Sequence, residues 1–163
     1  MNFNNIHRAI EALRKGQCVL IADAPERENE ADLVIAAEKA TPDVIAFMVR
    51  HTGGVLTVPM TSERLEQLKL PQMVTHNTEV NRTAFTISVD YRKGTTTGIS
   101  AHDRTKTILA LCDPTAKPED FARPGHIFPL CYREGGVLKR AGHTEASVDL
   151  CLMADLLPVA VIS

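Results

Sequence analysis

Two short apolar runs, Cys18-Val-Leu-Ile-Ala22 and Leu33-Val-Ile-Ala36, stand on either side of a charged segment. Both are rich in β-branched residues and too short for helices, so they predict neighbouring or paired strands and commit the chain to a sheet. The connection between them is unusual. Arg27-Glu28-Asn29-Glu30-Ala31-Asp32 packs four ionisable side chains into six residues, three of them carboxylates. Carboxylates pressed together repel one another, and are favourable only when fully solvated or neutralised by a cation. On the segment alone a solvated hairpin loop is the commoner explanation. The alternative is a hard divalent ion such as Mg²⁺, which prefers oxygen ligands and usually takes one or two protein carboxylates.

The rest of the chain reads as mixed helix and strand. Asn5 to Lys15 places Ile6, Ile10 and Leu13 on one face of an amphipathic helix, with Asn4 or Asn5 as cap. Thr41-Pro42-Asp43 is a helix start with Ile45, Met48 and Val49 as its apolar face. A strand is expected over Gly53 to Val58, a short helix capped at Thr61-Ser-Glu-Arg64, and a half-buried strand over Ala84 to Asp90. Ser100-Ala-His-Asp103 opens a helix carrying Ile108, Leu109 and Leu111. His126 to Cys131 and Leu157 to Ile162 are further apolar, strand-like stretches. Without a strict strand-helix-strand rhythm, an α+β fold with helices packed on a mixed sheet fits better than a doubly wound parallel one.

Length and composition suit a single domain over residues 1–163, since a chain of 163 residues with 44% hydrophobic content can bury one sizeable core. A net charge of -2 gives no basic footprint for nucleic acid. No apolar run approaches the roughly 18 residues of a membrane span, and the chain reads as cytoplasmic. Cys18, Cys112, Cys131 and Cys151 are widely spaced in apolar contexts, as expected of reduced, buried thiols.

A second polar cluster lies late in the chain. In Arg140-Ala141-Gly142-His143-Thr144-Glu145 the glycine admits close backbone approach, and helix-compatible residues follow, so free N–H groups at a helix start could face an anion. Arg140 adds a bidentate phosphate partner and His143 a nitrogen ligand. The plainer reading is a capped helix with a surface histidine. The two clusters together point to a phosphorylated, oxygen-rich small substrate.

Arg27-Glu-Asn-Glu30 with Asp32, Thr95-Thr-Thr-Gly-Ile-Ser-Ala-His-Asp-Arg104, Arg123-Pro-Gly-His-Ile-Phe-Pro-Leu130, and Arg140 to Ala146 with Asp149-Leu150 occur in an order that resembles 3,4-dihydroxy-2-butanone 4-phosphate synthase. The resemblance runs from the first helix to the last residue. It implies a lyase of riboflavin biosynthesis that converts D-ribulose 5-phosphate to L-3,4-dihydroxy-2-butanone 4-phosphate and formate. The fold implied is α+β, acting as a homodimer with active sites at the subunit interface, and the cofactor is Mg²⁺, with Mn²⁺ as the alternative. It further implies Glu28 and His143 as metal ligands, and Arg27, Glu28, Asp32 and the turn Arg140, Ala141, Gly142, His143 and Thr144 as the sugar-phosphate site. His126 corresponds to a catalytic histidine. Glu30 is a further candidate acid or base, its competing reading being a solvated loop carboxylate. Thr97 and Asp103 are candidates for the pocket wall, although helix capping by Ser100 and Asp103 explains much of that stretch.

The chain departs from the family pattern at Ala31, where a glycine is usual, in Asp23-Ala-Pro-Glu26, where an almost wholly acidic run is usual, and at Thr57, often a cysteine. The pattern would also continue past Ser163 with a catalytic glutamate. The expectation is therefore a domain lacking its C-terminal portion, with little synthase activity by itself, to which a cyclohydrolase domain could be fused beyond Ser163. The alternatives are a truncated or non-catalytic paralogue that binds sugar phosphate without turnover, and a purely structural homodimer.

Overall fold

The structure, a computed structural model, describes residues 3–163. Three of its helices start where side chains supply the missing acceptors. Thr41 Oγ1 accepts from Val44 N at 3.3 Å to open α2 (Pro42–His51), Thr61 Oγ1 from Arg64 N at 3.3 Å to open α3 (Ser62–Gln67), and Ser100 Oγ from Asp103 N at 3.0 Å to open α4 (Ala101–Cys112). Each such cap contributes about 1 kcal/mol. The first helix, α1 (Phe3–Arg14), already includes Asn4 and Asn5, so neither stands at a cap position.

Six strands form one mixed sheet. They are β1 (Val19–Ala22), β2 (Ala31–Ala36), β3 (Thr57–Met60), β4 (Val89–Tyr91), β5 (Phe121–Cys131) and β6 (Ala160–Ile162), in the spatial order β1-β2-β6-β3-β5-β4. All neighbours are antiparallel except β3 and β5, which run parallel with Thr57 opposite Phe128. The last helix, α5 (His143–Met153), leads into β6.

Because side chains alternate across a strand, β2 and β6 feed two cores at once. Ile35 and Val161 join the larger cluster with Ile45 and Met48 of α2 and Ile108 and Leu111 of α4, whereas Val34, Ala36, Ala160 and Ile162 pack with Cys151 of α5. Helices therefore cover both faces of the sheet, and it is the antiparallel pairing of all neighbours but β3 and β5 that sets the fold in the α+β class and apart from a doubly wound parallel one. Ile6, Val49 and Leu109 were expected on apolar faces and are instead 40%, 46% and 39% exposed, each at the edge of its helix's buried stripe.

The expected strand over Ala84 to Asp90 shrinks to β4, with isolated bridges at Phe85 and Thr86. Besides Val89, its buried positions are the polar Thr86 and Ser88. Thr86 Oγ1 donates to the Pro129 carbonyl at 2.9 Å beside the backbone bond from Thr86 N at 3.0 Å, and Ser88 Oγ accepts from Gly125 N at 3.1 Å, so side chains supplement a ladder that backbone pairing leaves irregular. Likewise Gly53 to Leu56 stay outside β3. Among the described residues no helix is long and apolar enough to cross a membrane.

Candidate functional site

The charged connection between β1 and β2 is knitted around one carboxylate. Asp23 Oδ2 accepts from Arg27 Nη1 at 2.7 Å and from Glu28 N at 3.1 Å, while Oδ1 accepts from Glu30 N at 3.0 Å. Desolvation alone would raise the Asp23 carboxyl, but the Arg27 hydrogen bond and the two backbone donors outweigh it and hold the group down at about 2. Asn29 takes a positive φ of 55°, which lets the chain reverse within the segment. Arg27 Nη1 also lies 2.6 Å from Glu28 Oε1, so one guanidinium spans two of the loop's carboxylates.

Opposite this loop sits the start of α5. Gly142 is its N-cap, and no Cβ could be added there without meeting Arg140 Nη1, Glu145 Oε2 and Arg27 Nη2. Arg140 Nη1 donates to Glu145 Oε2 at 2.7 Å, and its Nη2 reaches the Asn81 carbonyl at 3.2 Å and Thr83 Oγ1 at 3.3 Å. Glu145 is 1% exposed and its second oxygen accepts from Arg133 N at 3.3 Å. A buried carboxylate is tolerated because the guanidinium and a backbone donor both satisfy it.

The two clusters meet at His143. Its Nδ1 lies 3.9 Å from Glu28 Oε2 and 3.9 Å from Asp32 Oδ2, bringing together side chains more than a hundred positions apart in sequence. Asp23, Glu28 and His143 each offer a ligand atom, all within 4.8 Å of one another. His143 is 6% exposed, and its Nε2 is buried without a hydrogen-bond partner among the described residues. A buried imidazole whose Nδ1 faces two carboxylates and whose Nε2 has no protein partner fits a divalent cation, whose charge would relieve the carboxylates' repulsion. Asp32, set in β2, shows that repulsion: burial foremost, then the charges of Glu28, Glu30 and Asp23, push its carboxyl up against the opposing pull of His143.

These groups line a cleft of about 290 Å³ floored by Thr57, Leu130 and Ile162 and walled by Arg27, Glu28, Glu30, Asp32, Arg140, His143 and Thr144. Ala141 and Gly142 are outside its lining, Gly142 acting instead through the close packing of Arg140 and Arg27. Thr83 and Phe85 belong to the wall although nothing in their own sequence context marks them; the loop before β4 carries them there. Asp23 also lacks a distinctive local signal, since its partners are mostly backbone donors.

His126 is not part of this lining. Leu130 of the same strand is, and four residues of extended chain separate the two by about 13 Å. Thr97 is exposed, and Asp103 is 2% exposed and turned to its own loop, accepting from Thr96 and Gly98; neither lines the cleft.

A model of the 3,4-dihydroxy-2-butanone 4-phosphate synthase family matches residues 7–163. A probable bifunctional riboflavin biosynthesis protein of Oryza sativa subsp. japonica is 60% identical over 162 residues, which cover 98% of this chain and 30% of that protein. The Agrobacterium fabrum 3,4-dihydroxy-2-butanone 4-phosphate synthase is 54% identical over 158 residues, 97% of this chain and 74% of the other. The chain thus spans about a third of the length of the plant relatives and about three quarters of the bacterial one. A crystal structure of 3,4-dihydroxy-2-butanone 4-phosphate synthase in complex with two magnesium ions superposes with a TM-score of 0.94 at 54% identity, covering 97% of this chain and 74% of that one. With residues 7–163 matched and a synthase of which it covers 74%, this chain belongs to the 3,4-dihydroxy-2-butanone 4-phosphate synthase family.

Proposed function

We propose that the protein converts D-ribulose 5-phosphate to L-3,4-dihydroxy-2-butanone 4-phosphate and formate, in riboflavin biosynthesis, with Mg²⁺ or Mn²⁺ held by Glu28 and His143. The observation that carries this reading is buried His143, whose Nδ1 faces the Glu28 and Asp32 carboxylates at 3.9 Å and whose Nε2 has no hydrogen-bond partner among the described residues. The reaction divides a five-carbon sugar phosphate into four-carbon and one-carbon products without consuming water or oxidant, so the site must move protons and stabilise charge rather than import a reagent.

Glu28 and His143 would hold the cation, which when bound supplies Lewis-acid stabilisation of negative charge developing on substrate oxygen. Arg27, Arg140 and Thr144 bind and orient the sugar phosphate from opposite sides of the cleft. Asp32 and Glu30 are the carboxylates placed to accept or return a proton there, and Asp32, already pushed up, is the better matched to that exchange. His126 is a catalytic residue outside the cleft of its own chain, which supports a homodimer in which it serves a second copy. The four free cysteines support a reducing compartment, the cytoplasm in this reading.

The test is incubation with D-ribulose 5-phosphate and Mg²⁺, following formate with a coupled formate dehydrogenase. With the catalytic glutamate expected beyond Ser163 present, formate release that stops on chelation is the expected result, and residues 1–163 by themselves should release little. Calorimetric sugar-phosphate binding with no formate would replace the reading with a non-catalytic binder, and neither binding nor formate would overturn it.

A further inference from the structure

His126 and Asp90 occupy neighbouring strands at a break in their ladder. Val89 pairs with Ile127 but Asp90 pairs with Ala122, so residues 123–126 of β5 bulge out of register. The N–H of His126 donates to Asp90 Oδ1 at 2.9 Å, and the ring Nδ1 lies 2.7 Å from Asp90 Oδ2. One carboxylate thus grips both the backbone and the imidazole of the same residue. Bulges of this kind re-aim a side chain, and here the grip settles the direction.

The carboxylate is itself held from behind. Gly98, at φ +88°, lies so close that a Cβ would overlap the Asp90 carboxyl group. The loop carrying Gly98 is pinned by buried Asp103, which accepts from Thr96 N at 3.0 Å, Thr96 Oγ1 at 2.7 Å and Gly98 N at 3.1 Å. On the other side, Gly125 presses against the backbone of Val89 and Asp90, where a Cβ would also clash. Asp90 therefore has little room to leave the imidazole: its side chain is 13% exposed, while that of His126 is 39% exposed.

We infer that Asp90 is a positioning residue, seated by the Gly98 loop, that fixes His126 in the Nδ1–H tautomer and leaves the Nε2 lone pair as the outward proton acceptor. A carboxylate can only accept, so a neutral imidazole bonded through Nδ1 must donate from it and keep Nε2 free of hydrogen. The inference rests on the proposed catalytic role of His126 and adds what orients that group and which nitrogen transfers the proton.

Long-range ¹⁵N–¹H correlation spectra of the neutral His126 ring test this directly. Wild type should show a protonated Nδ1, and Asp90→Asn, whose amide N–H₂ presents a donor, should shift the ring toward protonated Nε2. Turnover should fall in that variant by about 10²- to 10⁴-fold with KM changed less than about threefold, the behaviour of a wrong tautomer in intact geometry. Should Asp90→Asn fail to fold, Asp90→Glu, which keeps the carboxylate but lengthens its reach toward the Gly98 loop, should lower turnover in the same sense while the ring keeps its Nδ1–H.

A protonated Nε2 in wild type overturns the inference, as does unchanged turnover in Asp90→Asn when His126→Ala is inactive. A wild-type Nδ1–H that shifts in Asp90→Asn while His126→Ala still releases formate overturns the catalytic reading of His126 instead, and leaves the tautomer assignment standing.

Discussion

Arg27 Nη1 lies 2.7 Å from Asp23 Oδ2 at the neck of the charged loop, and that contact determines which of the loop's carboxylates remain for other work. Asp23 has three donors; Glu28 shares Arg27 Nη1 through Oε1 and turns Oε2 toward His143, which Asp32 also faces. Asp23 is therefore an organiser of the loop, even though it stands close enough to belong to a metal-binding group.

The pH dependence of stability should report this. The Asp23 carboxyl falls from an ordinary 3.8 to about 2 in the folded protein, so its stabilising contribution is complete above the ordinary value and is lost as pH falls through about 2. Chemical denaturation of wild type and Asp23→Asn should show wild type more stable at about pH 6, with the gap closing between about pH 4 and pH 2. A gap that stays constant across that range would show that the asparagine costs only hydrogen-bond geometry.

Removing either proposed ligand should weaken Mg²⁺ binding more than removing a supporting group does. Supporting groups of metal sites are typically worth about 10- to 100-fold in affinity, so His143→Ala and Glu28→Gln should each lose at least about 10-fold by isothermal titration. Unchanged affinity in both would remove the metal from this site. His143→Ala also deletes a buried nitrogen without a partner, so any loss of folding stability in metal-free buffer should be small compared with its loss of Mg²⁺ affinity.

How much of this was legible in the sequence depended on the range of the interactions involved. Caps at Thr41, Thr61 and Ser100 are local, and the helices begin where those residues predict. The charged segment and the Arg140 turn announced themselves by composition, and the structure brings them together at His143. The fate of Ala84 to Asp90 was not legible, because Thr86 and Ser88 bond to Pro129 and Gly125, partners some forty positions away that no local pattern reveals. For the same reason Thr83, bonded to Arg140 across 57 positions, went unrecognised as a wall of the cleft. The parallel pairing of β3 with β5 is likewise a consequence of long-range packing. His126 carried a family signal, but its distance from the cleft of its own chain is a matter of register along β5.

Asp32 should stabilise the protein when neutralised. Burial and neighbouring carboxylates raise its pKa in the fold, so ionisation is harder in the folded than in the unfolded chain, and the native state is penalised once pH exceeds the carboxylate range. In chelated buffer at neutral pH, Asp32→Asn should unfold at a higher denaturant concentration than wild type, the difference disappearing in acid where both are uncharged. Formate release should fall at the same time, the expected exchange of activity for stability at a functional site. A lower midpoint for Asp32→Asn at neutral pH would show that its bond to the His143 region outweighs the repulsion.

Thiol reagents should leave the reaction untouched. Burial pushes Cys112 and Cys151 up to about 12 and raises Cys18 and Cys131 as well, and none of the four lines the cleft, where Thr57 occupies the strand position facing Ile162. Only the thiolate reacts appreciably, so iodoacetamide near neutral pH should modify the native protein slowly and without loss of formate release. Inactivation protected by ribulose 5-phosphate would place a reactive cysteine at the site after all.

Gly142→Ala isolates the role of close packing at the start of α5. Its backbone, at φ -122° and ψ 162°, is extended and open to any residue, so the substitution introduces contact rather than backbone strain. The new methyl would lie 2.9 Å from Glu145 Oε2 and 3.0 Å from Arg27 Nη2, and closer still to Arg140 Nη1. Arg140 cannot swing away freely, because Glu145, Asn81 and Thr83 hold it at both ends of its guanidinium. The variant should lose about 1–3 kcal/mol of stability, the usual cost of an inserted methyl in a packed site. Its KM for ribulose 5-phosphate should rise with helix content unchanged by circular dichroism. Gly53→Ala, where nothing lies within 4 Å of the added methyl, supplies the control and should stay within about 0.5 kcal/mol of wild type. Equal effects from the two substitutions would mean that the Arg140–Glu145 pair yields to the methyl, and that Gly142 serves the helix start alone.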